Sequence, residues 1–181
     1  MRPIRTVIAA LLIVGAGAVR PVAAADQVIF VVRHADRAAS APSVPTSQTP
    51  PGHPMMADDP PLSPAGQARA ARLATMLASA DIQRIYTSEF KRTRQTAAPL
   101  ADKLKVQPVM AAALDPAPLI AQLRKGGKGN ALVVGHANTI PDLLKKLGVK
   151  EDVKIGDDEY DNLFIVISRV GAPSTLIRLK Y

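Results

Sequence analysis

The feature that most constrains the fold is a pair of short, wholly apolar runs, each followed closely by a histidine. Residues 28–32 lead into His34, and residues 131–134 lead into His136. Runs rich in β-branched residues and free of polar side chains are typical of strands buried on both faces of a parallel sheet. Because open α/β sheets bind ligands at the carboxyl ends of their strands, both histidines are expected at one edge of one sheet.

The amino-terminal segment, residues 1–25, has the pattern of a secretory signal peptide. Two arginines precede an apolar run over residues 7–19, and residues 23–25 are alanines suited to cleavage. The run is short for a membrane span and two glycines interrupt it. We expect cleavage before Asp26, a secreted or periplasmic location and no stable membrane anchor afterwards, with an uncleaved anchor as the alternative. Residues 26–181 then form a single domain.

The composition of the mature chain limits its partners. Without the three arginines of the leader it has 20 basic and 15 acidic residues, a formal charge of +5, which suits small anionic substrates. Three Phe and three Tyr are too few to build a stacking surface for nucleic acid, so a nucleic-acid partner is not expected. The absence of cysteine excludes disulfides and thiolate chemistry. Nothing in the composition indicates an oligomeric state.

The segment at 38–61 is predicted to be a long loop, because seven prolines interrupt it. It leaves directly from the first histidine segment, so it is a candidate lid or rim of a site there. His53 lies within this loop, and its default interpretation is a solvated turn residue.

The rest of the chain alternates between helix and strand patterns. Gly126 to Gly129 resembles a phosphate loop only in composition, because it precedes a strand, and it is interpreted as a helix stop. The acidic residues 157–159 are interpreted as solvated. The first half of the chain is predicted to form a helix over 64–80 with Ser63 as its cap, a strand over 82–86, a helix capped by Ser88 and an edge strand over 106–110. A short helix ending at 123 and a helix capped by Asn138 follow. The last two strands, 163–168 and 175–179, are predicted to form an antiparallel hairpin at one edge of the sheet.

Cationic side chains cluster in sequence around these strand ends. Arg33 and Arg37 flank the first histidine, and Arg92 lies one helical turn beyond Ser88, so it can face the same edge. Guanidinium groups match phosphate oxygens and stay charged in a dry site. Like charge around His34 disfavours its protonated form and leaves a free-base nucleophile. Two histidines and two or three arginines at one sheet edge predict an anion site.

Taken together, Arg33-His34, Ser88 with Arg92 and residues 95–97, and Gly135-His136 resemble the histidine phosphatase superfamily, which has the phosphoglycerate-mutase-like fold. The resemblance extends from residue 28 to the last strand, and residues 62–68 resemble the family's helix entry. It implies an α/β three-layer sandwich with a mostly parallel central sheet flanked by helices. It also implies a metal-independent phosphatase that uses no cofactor and acts on a small phosphorylated substrate or a phosphoprotein.

By that resemblance, His34 is the nucleophile that takes the phosphoryl group and forms a phosphohistidine. Arg33, Arg92 and His136 would hold the phosphate oxygens, and Arg37 would add a further contact. Ala35 stands where the family commonly has glycine. Asp115 matches the location of the family's leaving-group acid, but its surroundings match poorly. Asp36 and the absence of any dedicated acid are the alternatives.

The same residues also fit three other functions. A phosphoglycerate-mutase-type phosphotransferase would use the same residues. A non-catalytic phospho-ligand-binding protein would keep the cationic pocket without turnover. A metal site on His34 and His136 would need a carboxylate ligand, and the neighbouring arginines would repel the cation, so no metal is expected.

Overall fold

The structure is a computed structural model that describes residues 27–39, 59–168 and 172–181. The expected signal peptide at 1–25, the cleavage site before Asp26, His53 and most of the proline-rich loop lie outside these described residues. Within the described ranges, no helix is long and apolar enough to cross a membrane.

The described residues form one six-stranded sheet and four helices, which confirms the predicted α/β class. The strand order is β3-β2-β4-β1-β5-β6; the four strands β1 to β4 are parallel, and β5 and β6 form the expected antiparallel hairpin at one edge. The elements in chain order are β1 Gln27–Arg33, α1 Pro64–Met76, β2 Ile82–Thr87, α2 Lys91–Leu104, β3 Val109–Met110, α3 Ala117–Lys125, β4 Asn130–Gly135, α4 Ile140–Lys146, β5 Asn162–Ser168 and β6 Thr175–Lys180.

Helices cover both faces of the sheet, so the predicted three-layer sandwich is confirmed. Alternate residues of β1 point to opposite faces, as the pleat of a strand requires. Phe30 and Val32 pack with apolar side chains of α1 and α2. Ile29 and Val31 pack with side chains of α3 and α4. Burial on both faces explains why residues 28–32 of β1 and 131–134 of β4 are all apolar.

The register of the sheet brings three strand ends to one level. Arg33 at the end of β1 pairs with Gly135 at the end of β4, and Thr87 at the end of β2 pairs with Val134. The amide of His34 continues the ladder by donating to the carbonyl oxygen of Gly135 at 2.9 Å. The residues that follow β1, β2 and β4 are therefore neighbours in space.

Gly66 in the first turn of α1 sets how closely that helix approaches the segment after β1. A Cβ atom at this position would collide with the backbone carbonyl of Asp36. Ser63 caps α1 as predicted, because its hydroxyl accepts from the amide of Gly66 at 3.1 Å.

Several predicted element boundaries were wrong, and helix α3 extends to Lys125 instead of ending at residue 123. Helix α1 ends at Met76 instead of residue 80, because residues 77–80 form turns. Strand β3 begins at Val109 instead of residue 106, because the amide of Val106 bonds to Ala101 and closes the end of α2. Helix α4 is preceded by Thr139 instead of Asn138 at the N-cap position, with no side-chain cap bond.

Candidate active site

His34 lies directly after β1 with its imidazole buried at 5% exposure. Its Nδ1 lies 2.9 Å from the carbonyl oxygen of Ala35. A carbonyl oxygen only accepts hydrogen bonds, so Nδ1 must carry a proton and donate it. In neutral His34 the lone pair therefore lies on Nε2, which is the nitrogen available for nucleophilic attack.

The charge state of His34 follows from its surroundings. Burial, with the positive charges of Arg92, Arg33 and Arg37, lowers the pKa of His34 to about 4, although the bond to Ala35 acts in the opposite direction. The imidazole is therefore neutral at physiological pH. A neutral imidazole with a fixed Nδ1 proton is the form that a nitrogen nucleophile requires.

His136, directly after β4, faces His34 with ring centroids 5.3 Å apart. Its Nε2 lies 2.9 Å from the hydroxyl of Ser88, and its ring packs nearly perpendicular to that of Phe90 at a centroid distance of 5.1 Å. Its Nδ1 is buried and has no hydrogen-bond partner among the described residues. Burial, followed by the charges of His34, Arg92 and Arg33, lowers the pKa of His136 to about 3.

Ser88 does not cap α2 as predicted. The helix begins at Lys91 with Phe90 at the N-cap position and no side-chain cap bond, which leaves the Ser88 hydroxyl to bond His136 and Thr93. A cavity of about 40 Å³ adjoins Ser88 and His136, and its other walls are mainly apolar residues of β2, β4, the segment before α3, and helices α3 and α4.

Arg33 is buried and held by backbone carbonyls of the segment before β5. Its Nη1 lies 2.9 Å from the oxygen of Gly156, 2.7 Å from that of Asp157 and 3.2 Å from that of Glu159. Its guanidinium also stacks over the ring of Tyr160 at 4.0 Å. Its Nε is buried without a partner among the described residues, so it can donate to a ligand. The acidic residues 157–159 were interpreted from the sequence as solvated. The structure shows in addition that backbone carbonyl oxygens of Asp157 and Glu159 position the Arg33 guanidinium.

Arg92 in the first turn of α2 is 6% exposed, and its guanidinium lies 4.3 Å from the ring centroid of Phe90. Its Nη1 lies 3.4 Å from a carboxylate oxygen of Asp59. Both carboxylate oxygens of Asp59 also accept from the amide of Lys91, at 3.0 and 2.9 Å. Asp59 was not predicted as a site residue; no spacing in the proline-rich loop indicates this contact.

Arg37 is the most exposed of the predicted cations. It forms a backbone bridge with Leu62, and its charge is one of those that lower the pKa of His34. Arg37 therefore lies close enough to His34 to influence its protonation. It is at the outer side of the group formed by His34, His136, Arg33 and Arg92.

The two candidate acids are engaged elsewhere. Asp36 forms a 2.6 Å ion pair with Arg69, and this hydrogen bond lowers the pKa of Asp36. A carboxylate held in its ionised form is a poor proton donor, which disfavours Asp36 as the acid. Asp115 is exposed, and its Oδ1 accepts from the amide of Ala117 at 3.2 Å, at the start of α3.

Two residues of α2 fix the segments around His34. The Oγ1 of Thr96 accepts from the amide of Ala35 at 2.9 Å, and the Oε1 of Gln95 accepts from the amide of Leu62 at 2.8 Å. These contacts give a physical reason for the sequence Gln95-Thr96 after Arg92, because each side chain satisfies a backbone donor beside the site.

The donor set suits an anion and not a cation. Across the described ranges, no group of three or more His, Cys, Asp or Glu side chains could hold a metal ion. The imidazoles are instead surrounded by guanidinium groups. Such a pocket can bind a tetrahedral oxyanion and stabilise the negative charge that develops during phosphoryl transfer.

Comparison with known proteins agrees with this geometry. The family model described as "Histidine phosphatase superfamily (branch 1)" matches residues 29–115, which include His34, Arg33 and Arg92. No curated protein sequence matches the chain.

Solved structures with the same fold include phosphatases. The protein histidine phosphatase SixA complexed with tungstate aligns with a TM-score of 0.65 and 21% identity, over 85% of this chain and 97% of that chain. A putative phosphohistidine phosphatase SixA from Agrobacterium tumefaciens aligns at 0.62 and 22%, over 87% and 100%. A mycobacterial glucosyl-3-phosphoglycerate phosphatase aligns at 0.61 and 13%, over 86% and 98%. At these identities the likeness establishes the fold.

Proposed function

We propose, from the match of residues 29–115 to the histidine phosphatase superfamily and from the site geometry, that this chain is a metal-independent phosphatase. It hydrolyses phosphomonoesters or phosphoramidates through a phosphohistidine intermediate on His34. The observation that carries this proposal is the 2.9 Å bond from Nδ1 of His34 to Ala35, which leaves the Nε2 lone pair for attack.

The reaction follows from the placement of the side chains. Nε2 of His34 attacks phosphorus, and the bond from phosphorus to the leaving oxygen or nitrogen breaks. The leaving group departs with that electron pair, as the anion when it is an aryl oxide and with a proton from solvent when it is a nitrogen. Water then attacks the phosphohistidine, the P–N electron pair returns to Nε2, and phosphate is released with the proton of the attacking water. Arg33, Arg92 and His136 bind the phosphoryl oxygens and stabilise their charge in both steps, with Arg37 adding positive potential.

The preferred substrates have good leaving groups. Asp36 is bound to Arg69, and the Asp115 carboxylate bonds within its own helix start, so a strong proton donor at the leaving group is not assembled by the described residues. Phosphohistidine, phosphoramidates and aryl phosphates need such a donor least. One structural neighbour is named as the protein histidine phosphatase SixA and another as a putative phosphohistidine phosphatase SixA, which supports a phosphoprotein or a small phosphorylated molecule as substrate. Asp115 remains the acid proposed for less reactive esters.

The proposed location is outside the cytoplasm, because of the leader pattern at residues 1–25. Expression of the whole chain in a bacterium with a general secretory system tests this. A periplasmic product beginning at Asp26 supports export, and a full-length product in the cytoplasm contradicts it.

The catalytic proposal is tested by hydrolysis of p-nitrophenyl phosphate in the presence of a metal chelator. We expect turnover by the wild-type protein and at least a hundredfold loss in His34→Asn, in line with the loss of a nucleophile. The matched control is Asn138→Ala, at an exposed position that makes no contact used by the mechanism. A loss of less than tenfold in His34→Asn would contradict the role of His34.

A non-catalytic phospho-ligand-binding protein is the second candidate, and the engaged state of Asp36 and Asp115 favours it. Such a protein would bind phosphate in the same pocket without turnover. Binding of tungstate or phosphate together with absence of hydrolysis for every activated substrate would select this alternative.

A further inference from the structure

The hydrogen bond between His136 and Ser88 is part of a chain whose direction can be determined by counting protons. The Ser88 hydroxyl lies 2.9 Å from Nε2 of His136 and 2.9 Å from Oγ1 of Thr93. Oγ1 of Thr93 in turn lies 2.9 Å from the carbonyl oxygen of Phe90 and 3.2 Å from that of Ser88. All of these side chains are buried.

Each hydroxyl has one hydrogen to donate, while a carbonyl oxygen has none. The hydrogen of Thr93 must therefore go to a carbonyl, because two oxygens 2.9 Å apart without a hydrogen between them would repel each other. Thr93 then accepts from Ser88, and Ser88 accepts from His136. The hydrogen bonds therefore run from Nε2–H of His136 through the hydroxyls of Ser88 and Thr93 to a backbone carbonyl oxygen.

This direction fixes the proton of neutral His136 on Nε2 and the lone pair on Nδ1. Nδ1 is buried, without a partner among the described residues, in the ring that faces His34. An anion oxygen beside that lone pair would be repelled. A favourable contact needs a proton between Nδ1 and the oxygen.

We propose that Ser88, whose hydroxyl donates to Thr93, is a positioning residue that holds His136 in the Nε2–H tautomer. Because Nδ1 then has a lone pair, each oxyanion binds together with one proton, which it shares with Nδ1. The inference rests on the proposed function, since it requires the oxyanion to bind between His34, His136 and the arginines. It specifies the substrate form: a phosphoryl monoanion brings the proton itself, whereas a dianion must take one from solvent.

The groups that face His136 explain why the proton enters only with the ligand. His34, Arg92 and Arg33 are the titratable and charged groups that act on its charge, and the apolar ring of Phe90 packs nearly perpendicular to it. Without a ligand, burial and the positive charges of Arg92 and Arg33 keep the His136 ring neutral, in keeping with its pKa of about 3. A bound anion reverses the local potential and favours the imidazolium.

Nitrogen-15 NMR of the histidine rings tests this directly, because the chain has only three histidines. The probe is tungstate, a dianion at neutral pH, and His34→Asn and His136→Asn assign the signals. We expect His136 to be the Nε2–H tautomer without tungstate and to carry protons on both nitrogens with it. Calorimetry in two buffers of different ionisation enthalpy should show uptake of about one proton per tungstate, also in His34→Asn.

Two variants isolate the positioning role. Ser88→Ala removes the acceptor, and Thr93→Val, which does not touch His136, lets the Ser88 hydroxyl donate to Nε2 instead. Both variants should let the neutral ring carry its proton on Nδ1, so proton uptake should fall by more than half and tungstate affinity should depend less on pH. Thr75→Val on the exposed face of α1 is the matched control and should retain the full uptake.

The outcomes separate this inference from the proposed function. Absence of tungstate binding to the wild-type protein would overturn both. Binding without proton uptake, an Nδ1–H tautomer in the empty wild-type site, or full proton uptake in both Ser88→Ala and Thr93→Val would overturn the positioning role alone.

Discussion

His34 and His136 are chemically alike, yet their hydrogen-bond partners give them different tautomers. A backbone carbonyl places the proton of His34 on Nδ1, and the hydroxyl chain through Ser88 places that of His136 on Nε2. The first ring thereby presents a nucleophilic Nε2, and the second presents Nδ1 for a shared proton. Two imidazoles 5.3 Å apart can therefore perform two different tasks on one phosphoryl group.

Arg33 offers a test of this site at the level of one side chain. Arg33→Lys keeps the charge but removes the planar group that stacks on Tyr160 and reaches three carbonyl oxygens. We expect kcat/KM for p-nitrophenyl phosphate to fall by about tenfold to a hundredfold, because lysine is a point charge on a flexible stem. Steady-state kinetics measures this.

Arg178→Lys on the exposed edge strand β6 is the matched control. Wild-type kcat/KM in Arg33→Lys would show that the stacking on Tyr160 and the carbonyl contacts do not position the Arg33 guanidinium for catalysis.

Individual residues were predictable where the side chain itself carries the chemistry. His34, His136, Arg33 and Arg92 were predicted from their positions after apolar strands or near a helix start, and the structure brings these four side chains together. The contacts of Ser88 and of residues 156–160 were not predicted. A serine before a helix is most often its cap, and backbone carbonyls accept hydrogen bonds whatever side chains they carry.

Among the helices and strands, β1 and β4 were predictable because burial on both faces leaves only apolar residues. The edge strand β3 was also predicted, but its start was placed three residues too early, since an edge strand has little burial to select its side chains and both residues of β3 are exposed. The start of α2 was also missed, because its first amide is capped by Asp59, 32 positions earlier in the chain.

Asp59 provides a test at the level of these elements. It replaces the side-chain cap that Phe90 cannot supply to α2, and it also contacts Arg92. We expect Asp59→Ala to lower the free energy of unfolding by about 1 kcal/mol, as loss of a helix cap does, and to raise KM for an aryl phosphate. Urea unfolding and steady-state kinetics measure the two effects.

Asp59→Asn is the informative companion variant, since its amide oxygen still accepts from Lys91. It should retain more of the stability than Asp59→Ala. Wild-type stability in Asp59→Ala would show that the carboxylate does not hold the start of the helix.

For the whole molecule, the site imposes a pH-dependent cost on folding. The folded pKa values of about 4 for His34 and about 3 for His136 lie below the ordinary value of 6.5. Below pH 6.5 the unfolded chain takes up protons that the folded chain does not, so stability falls as pH falls toward 4. At pH 5 each histidine should cost up to about 2 kcal/mol.

Urea unfolding at pH 7 and pH 5 measures this cost. The double variant His34→Gln, His136→Gln should lose less stability between pH 7 and pH 5 than the wild-type protein, because it lacks the two buried imidazoles. Both proteins have the same carboxylates, so the contribution of the carboxylates cancels in the comparison. An equal loss in the two proteins would mean that the imidazoles are not buried in their neutral form.

The phosphohistidine on His34 can be detected by mass spectrometry of the protein quenched in alkali during turnover of an aryl phosphate, since phosphohistidine survives base. We expect one phosphoryl group on the peptide that contains His34, formed and lost at rates compatible with turnover, and none in His34→Asn. Hydrolysis at the wild-type rate with no phosphoryl group on His34, or with the group on another residue, would contradict this expectation.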